Sequence, residues 1–394
     1  MPESPPLSRD RLDRVEAYLS GLVEAGAIPH VQFLAARDGE PLLQLCAGSA
    51  RADGRALRRD ALYRIASMTK AVTAVALMML VEEGRVALDD PVARFLPELA
   101  DLRVHAGREA PPFATRPAAR QPLIVDLLRH TAGFSYGLQR HSPVDQCYQA
   151  AGLHDYKAGV TEAGMLRELA ALPLVDDPGT AFTYSIATDL LGIIIKRVTD
   201  SSLAAVFADR IFGPLGMKDS FFEVPPAKLH RLTDSWAMHP RLGQRLYDRA
   251  EDSLWSRPPS FESGGGGLVS SVADYHRFCR MLLGQGAVEG VRLLRPDTIA
   301  LMTSNHLPGG GSIGALSRGL FAGPEHRNTG HGLGLAVTLP GGDGVPPAGA
   351  FHWSGFFSNW FAVVPSERLI LILMTQLIPA EPRNSAPEVQ RLLF

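Results

Sequence analysis

Lysine is scarce in this chain. Of 39 basic residues only five are lysine (70, 157, 196, 218 and 228), which leaves 34 arginines. Cysteine is scarcer still: Cys46, Cys147 and Cys279 are widely spaced and form no CxxC pair. An odd, scattered set fits free thiols in a reducing compartment rather than a disulfide framework. An excess of one charge sign is also missing. The net charge of −2 gives no electrostatic case for nucleic acid or an anionic membrane as partner. The longest apolar run, within 67–81, is too short and too interrupted to span a bilayer. The opening Met1-Pro-Glu-Ser-Pro-Pro-Leu-Ser8 has neither a basic start nor an apolar core, so no secretory signal is read and the cytoplasm is expected. Twelve histidines supply no HExxH and no paired spacing, so neither a metal nor another cofactor is expected. The run Ser263-Gly-Gly-Gly-Gly267 lacks the Gly-Lys-Ser/Thr ending of a phosphate loop and reads as a flexible turn.

What is present is ordinary globular material, 46% hydrophobic and 20% charged over 394 residues, enough for one large core or two domains sharing an interface. Residues 8–24 carry Leu12, Val15, Leu19 and Leu22 at helical steps. Val31–Ala36 and Leu42–Ala47 flank Asp38-Gly39, a hairpin signal. Strand patterns return at 332–339, 350–353, 360–364 and 369–375. Between them lie helical stretches at 124–129, 162–171, after 186, at 202–211 and at 273–283. Three segments show little periodicity. Residues 100–121 read as an irregular excursion, 134–160 as a loop near the site, and 221–262, with Trp236, Tyr247 and Trp255, as lid or pocket wall. The resulting class is α+β: an antiparallel sheet flanked by helices and built from both ends of the chain (1–90 and 265–394), with a mainly helical second domain at 91–264.

One stretch carries chemistry. Leu62–Ala66 reads as a short extended run, and the helix after it, ending at Gly84, is apolar almost all round, as a buried helix is. Ser67 and Lys70 stand three apart at its start and share a face. A helix N-terminus and desolvation both favour a neutral amine, which would let Lys70 take a proton from Ser67. The plain alternative is a helix N-cap beside a solvated lysine. With serine at about one residue in fifteen, five lysines give roughly 0.3 such pairs by chance, so the pair alone is weak. Gly133-Phe-Ser135-Tyr-Gly137 also matches the G-x-S-x-G elbow. No strand precedes it and no helix follows at once, so Ser135 is expected on a loop beside the pocket.

Further motifs recur in order: Leu127-Leu-Arg-His-Thr-Ala-Gly133, Pro178-Gly179 before Tyr184-Ser185, Leu191-Gly192, Ile211-Phe-Gly-Pro-Leu-Gly-Met217 and Gly332-Leu-Gly334. With Ser67-Met-Thr-Lys70 they resemble the serine hydrolases of the class C β-lactamase and penicillin-binding-protein fold, over about residues 10–376. Two departures refine the resemblance. Tyr184-Ser-Ile186 stands where that family's peptidases carry Tyr-x-Asn, and Trp353-Ser354-Gly355 stands where they carry Lys-Thr-Gly. The combination resembles the family VIII carboxylesterases. It implies Ser67 as nucleophile, Lys70 and Tyr184 as general base and acid, and an oxyanion hole from the backbone N–H groups of Ser67 and Phe356. It further implies a pocket lined by Trp353, Ser354, Gly355, Tyr136, Phe134 and Ile186. A small neutral ester would be the substrate, hydrolysed through an acyl-enzyme. His130 and His352 fall near motif positions and are read as structural. An acyltransferase of the same fold, a β-lactamase or D-amino peptidase, and a catalytically silent binding or filament-forming relative are the competing readings.

Overall fold

The computed structural model describes residues 7–107, 111, 113–139, 141–153, 159–342, 344–378 and 385–394. Strands β1 (His30–Arg37) and β2 (Glu40–Gly48) come from one end of the chain. β3 (Thr329–His331), β4 (Ala336–Thr338), β5 (Phe351–Ser354), β6 (Trp360–Val364) and β7 (Leu369–Met374) come from the other. They form one seven-stranded sheet in the order β3-β4-β5-β6-β7-β1-β2. Every neighbouring pair is antiparallel, as expected from the sequence. The β1–β2 turn places Asp38 and Gly39 at φ +53° and +87°, the conformation an Asp-Gly hairpin supplies.

The strand β7, Leu-Ile-Leu-Ile-Leu-Met, is buried along its length, and its two faces feed two cores. Leu369, Leu371 and Leu373 join Phe33, Leu12, Val15 and Val389. These last three belong to the helices α1 (Arg9–Glu24) and, at the C-terminal end, Ala386–Leu393. Ile370, Ile372 and Met374 point the other way, into a larger cluster. That cluster includes α2 (Thr69–Glu82), α3 (Ala187–Thr199) and α4 (Val272–Leu283). Side chains alternate across a strand, so a run that is apolar at every position demands cover on both faces. Helix α2 is buried from Thr69 through Leu80, which accounts for its apolar circumference.

Several elements differ from the sequence reading. The excursion at 100–121 holds a short antiparallel pair, Arg103–His105 with Thr115–Pro117. The supposed loop at 134–160, part of it outside the described residues, contains the helix Pro143–Ala150, capped by Ser142 and Asp145. Only Val144 and Tyr148 repeat at helical spacing there, too little for a pattern. Residues 221–262, expected as lid or pocket wall, hold regular structure. Ser235–His239 pairs with Gly243–Asp248 and, in parallel, with Leu377–Ile378, while Trp255 is buried with Phe357 in a third core that Tyr247 packs against. The strand expected at 332–339 is broken by a turn in which the Gly332 N–H bonds to the Leu335 carbonyl at 2.8 Å. Gly334 there has φ +86° and would place a Cβ 2.3 Å from that of Ala74, so only glycine lets this turn rest on α2. The helix expected at 202–211 runs as Leu203–Phe207 and then widens into a π turn, Ala208–Phe212.

Candidate active site

Ser67 lies in a single 3₁₀ turn, Ala66–Met68, between the short strand Tyr63–Arg64 and α2, one step before the helix rather than inside it. Ala66 holds a φ of +44°, a strained conformation for a residue with a Cβ that persists only where its surroundings enforce it. They do so here through four hydrogen bonds. The Ile65 N–H reaches the Leu268 carbonyl at 3.0 Å and the Met68 N–H the Ile65 carbonyl at 3.1 Å. The Tyr275 hydroxyl donates to the Met68 carbonyl at 3.0 Å, and Asn359 Nδ2 to the Arg64 carbonyl at 2.8 Å. Beneath the turn the fully buried Arg64 guanidinium pairs with Asp248 and donates to Ser253 Oγ and the Thr233 carbonyl. Sequence spacing gave no sign of this ion pair.

The Tyr184 hydroxyl donates to Ser67 Oγ at 2.7 Å. Lys70 Nζ lies 3.5 Å from the same oxygen, and it donates to the Gly265 carbonyl at 2.6 Å and to the Tyr136 hydroxyl at 3.2 Å. Three acceptors thus match the three N–H bonds of an ammonium. The rings of Tyr184 and Tyr136 stand 5.0 and 5.5 Å from Nζ, within cation–π range. Tyr136, expected as pocket lining, therefore touches Lys70 itself.

Behind Tyr184 sits His130, 1% exposed, with its ring 4.8 Å from the phenol ring and T-shaped to it. Burial, with His331 and Lys70 nearby, pushes its pKa well below the ordinary histidine value. The imidazole is neutral at physiological pH, and its Nδ1 lies 3.4 Å from Ser185 Oγ. Trp353 on β5 lies 5.4 Å from the Tyr184 ring and is 5% exposed. Its indole N–H has no partner among the described residues. Phe321, which no motif marked, packs on both Tyr184 and Trp353 at 5.3 and 6.0 Å. Gln139 ties that wall in place, donating to the Tyr184 carbonyl and accepting from the Leu320 N–H.

After β5 the chain turns at Gly355, where a Cβ would stand 2.5 Å from the Ile65 carbonyl. This close approach seats the turn against the Ser67 turn. Among the described residues, neither the Ser67 nor the Phe356 backbone N–H donates to an acceptor. The Phe356 side chain is exposed, while Ser354 and Gly355 are half-buried. Two expected lining residues turn inward instead: Phe134 and Ile186 are 1% and 0% exposed, within the main core. Ser135 is fully buried, and its hydroxyl donates to the Asp145 carboxylate, with the Tyr136 carbonyl 3.2 Å from the same oxygen. Asp145 also accepts from the His141 and Ser142 N–H groups. The G-x-S-x-G match is thus a helix-capping arrangement.

Comparison with known proteins places the chain in a family. The family described as Beta-lactamase matches residues 15–393. An uncharacterised protein of Mycobacterium tuberculosis is 39% identical over 337 residues, covering 83% of this chain and 80% of its own. Esterase EstB of Burkholderia gladioli is 31% identical over 387 residues, covering 92% and 89%. Among solved structures, unliganded simvastatin synthase (LovD) from Aspergillus terreus has a TM-score of 0.78 at 25% identity, covering 98% of this chain and 97% of that one. The chain belongs to the β-lactamase family and is a hydrolase of the β-lactamase/transpeptidase-like fold.

Proposed function

We propose that the protein is a serine carboxylesterase acting on small neutral esters through an acyl-enzyme on Ser67. The observation that carries this reading is the placement of Ser67 Oγ at 2.7 Å from the Tyr184 hydroxyl and 3.5 Å from Lys70 Nζ. Lys70 has its N–H bonds turned to three acceptors, which fixes it beside Tyr184, the general base in its phenolate form. The phenolate takes the Ser67 proton as Oγ bonds to the ester carbonyl carbon. It then delivers that proton to the departing alcohol. Water enters by the reverse of the same transfers and releases the acid. The N–H groups of Ser67 and Phe356, unpaired among the described residues, would receive the oxyanion. Trp353, where a cation would meet a substrate carboxylate, favours an uncharged acyl group.

The esterase relative at 31% identity supports hydrolysis. The likeness to simvastatin synthase favours a second reading, acyl transfer to a small-molecule alcohol. A panel of p-nitrophenyl esters, a chromogenic β-lactam and an alcohol acceptor, run on wild type and on Ser67→Ala, separates these outcomes. Ester hydrolysis lost in Ser67→Ala is the expected result. Acceptor acylation outrunning hydrolysis would make the protein an acyltransferase. β-Lactam turnover matching ester turnover, or ester activity surviving in Ser67→Ala, would overturn the proposal.

A further inference from the structure

Behind Lys70 stands a buried carboxylate that the chemistry above does not use. Asp189, in the first turn of α3, is 4% exposed. One of its oxygens accepts from Ser263 Oγ at 2.6 Å and from the Gly265 N–H at 2.9 Å. The carbonyl of that same Gly265 accepts from Lys70 Nζ at 2.6 Å. A single residue therefore joins carboxylate to ammonium, N–H on one side and C=O on the other.

The connection is built, not incidental. Thr73 Oγ1, on α2, donates to the Gly264 carbonyl at 2.7 Å. A Cβ on Gly264 would stand 2.9 Å from the Thr188 carbonyl, and one on Gly265 would stand 2.5 Å from Asp189 Oδ2. Neither position has room for a side chain, so the glycine run read from sequence as a flexible turn is a backbone bridge wedged between α2 and α3. Among the described residues, few ionisable groups stand around the Lys70 end of this bridge. Lys70 comes from α2, Tyr136 and the neutral His130 from the segment before the Pro143 helix, and Tyr184 from the approach to α3. Glu262 turns away to cap Leu203 and Ala204, and Lys196 farther along α3 pairs with Glu162. Burial raises the Asp189 carboxyl above the usual range, opposed by the Lys70 charge and by its two hydrogen bonds.

We propose that Asp189 is a positioning residue for the reaction at Ser67, holding the Gly265 carbonyl that orients Lys70 and supplying the buried counter-charge to its ammonium. The proposal rests on the assignment of Ser67, Lys70 and Tyr184 made above. Its consequence is electrostatic. Removing the carboxylate withdraws negative potential from the site that Lys70 and Tyr184 share, so the pH profile of the reaction at Ser67 should respond to its charge.

The test measures the rate at which a fluorophosphonate labels Ser67, across the pH range in which tyrosine and lysine titrate. This readout needs no knowledge of the natural substrate. Asp189→Asn keeps an oxygen for the Gly265 N–H and removes the charge. Its labelling profile should move toward acid by about one pH unit, with a lower maximum. Ser263→Ala removes one hydrogen bond and should lower the rate without moving the profile. An Asp189→Asn protein that melts with the wild type and labels on an unshifted profile would show a purely structural carboxylate. Should Asp189→Asn fail to fold, the double variant with Lys70→Met decides. Removing both charges together should restore a folded protein, whereas a double variant that also fails to fold overturns the proposal. Ester hydrolysis absent in a protein that still labels at Ser67 would remove the esterase reading alone.

Discussion

The Tyr184 hydroxyl meets Ser67 Oγ at 2.7 Å across 117 residues of chain. The contact depends on two unrelated local structures. A strained 3₁₀ turn at Ala66–Met68 aims the serine, and the segment before α3 carries the tyrosine, its ring held between His130 and Trp353. Because those rings fix the phenol independently of its hydroxyl, removing the oxygen should remove the proton transfer and little else. Tyr184→Phe is expected to lower kcat for a p-nitrophenyl ester by about 10²- to 10⁴-fold. Its melting temperature should stay within a few degrees of wild type. A variant that retains most of its activity would show that Lys70 alone serves as base.

Ser135 provides the contrasting case. Its hydroxyl is spent on Asp145, which caps the helix Pro143–Ala150. Ser135→Ala should keep kcat/KM within a few-fold of wild type while losing about 1–3 kcal/mol of stability, since it leaves a buried carboxylate short of a donor. Urea denaturation beside the ester assay checks both halves. Abolished turnover with unchanged stability would reverse the roles given to the two serines.

The frame of the protein was legible in the chain because its signals are local. Leu369–Met374 is apolar at every position and must lie inside a sheet, the circumference of α2 is apolar, and Asp38-Gly39 announces a hairpin. Ser67 and Lys70 stood out because lysine is rare. What could not be read depends on partners distant in sequence. The hairpin Ser235–His239/Gly243–Asp248 is half-exposed and gains a third strand only from Leu377–Ile378. Gly265 looks like slack until Asp189 and Lys70 arrive on two other helices, and no spacing rule brings Arg64 to Asp248 across 184 residues.

That ion pair sits directly under the nucleophile turn, and Arg64 is completely buried. Replacing one partner strands the other charge, so Arg64→Met should cost about 3–5 kcal/mol. The Arg64 carbonyl also receives Asn359 and Gln376, so the loss should reach the Ala66 turn and reduce Ser67 labelling as well. Chemical denaturation and the labelling rate check the pair. Full labelling in a destabilised protein would separate the ion pair from the geometry of the site.

Acid sensitivity follows from histidines buried as neutral rings, His30 and His331 among them. His30 and His331 are 0% and 1% exposed, and burial lowers each from 6.5 to about 4. The unfolded chain therefore binds protons that the folded protein refuses. Stability is complete above the unfolded value of 6.5 and drains away as pH falls toward about 4. Each ring contributes about 1.4 kcal/mol per pH unit within that window. Denaturation midpoints taken at neutral pH and near the lower end of the window should differ by several kcal/mol. His331→Asn, which cannot titrate, should flatten the slope by roughly one ring's share. Because His331 packs against both His130 and Trp353, its protonation should disturb the wall behind Tyr184. Ester hydrolysis is therefore expected to fade within the same acid window as stability, and activity that persists while the protein loosens would place this pair outside the working site.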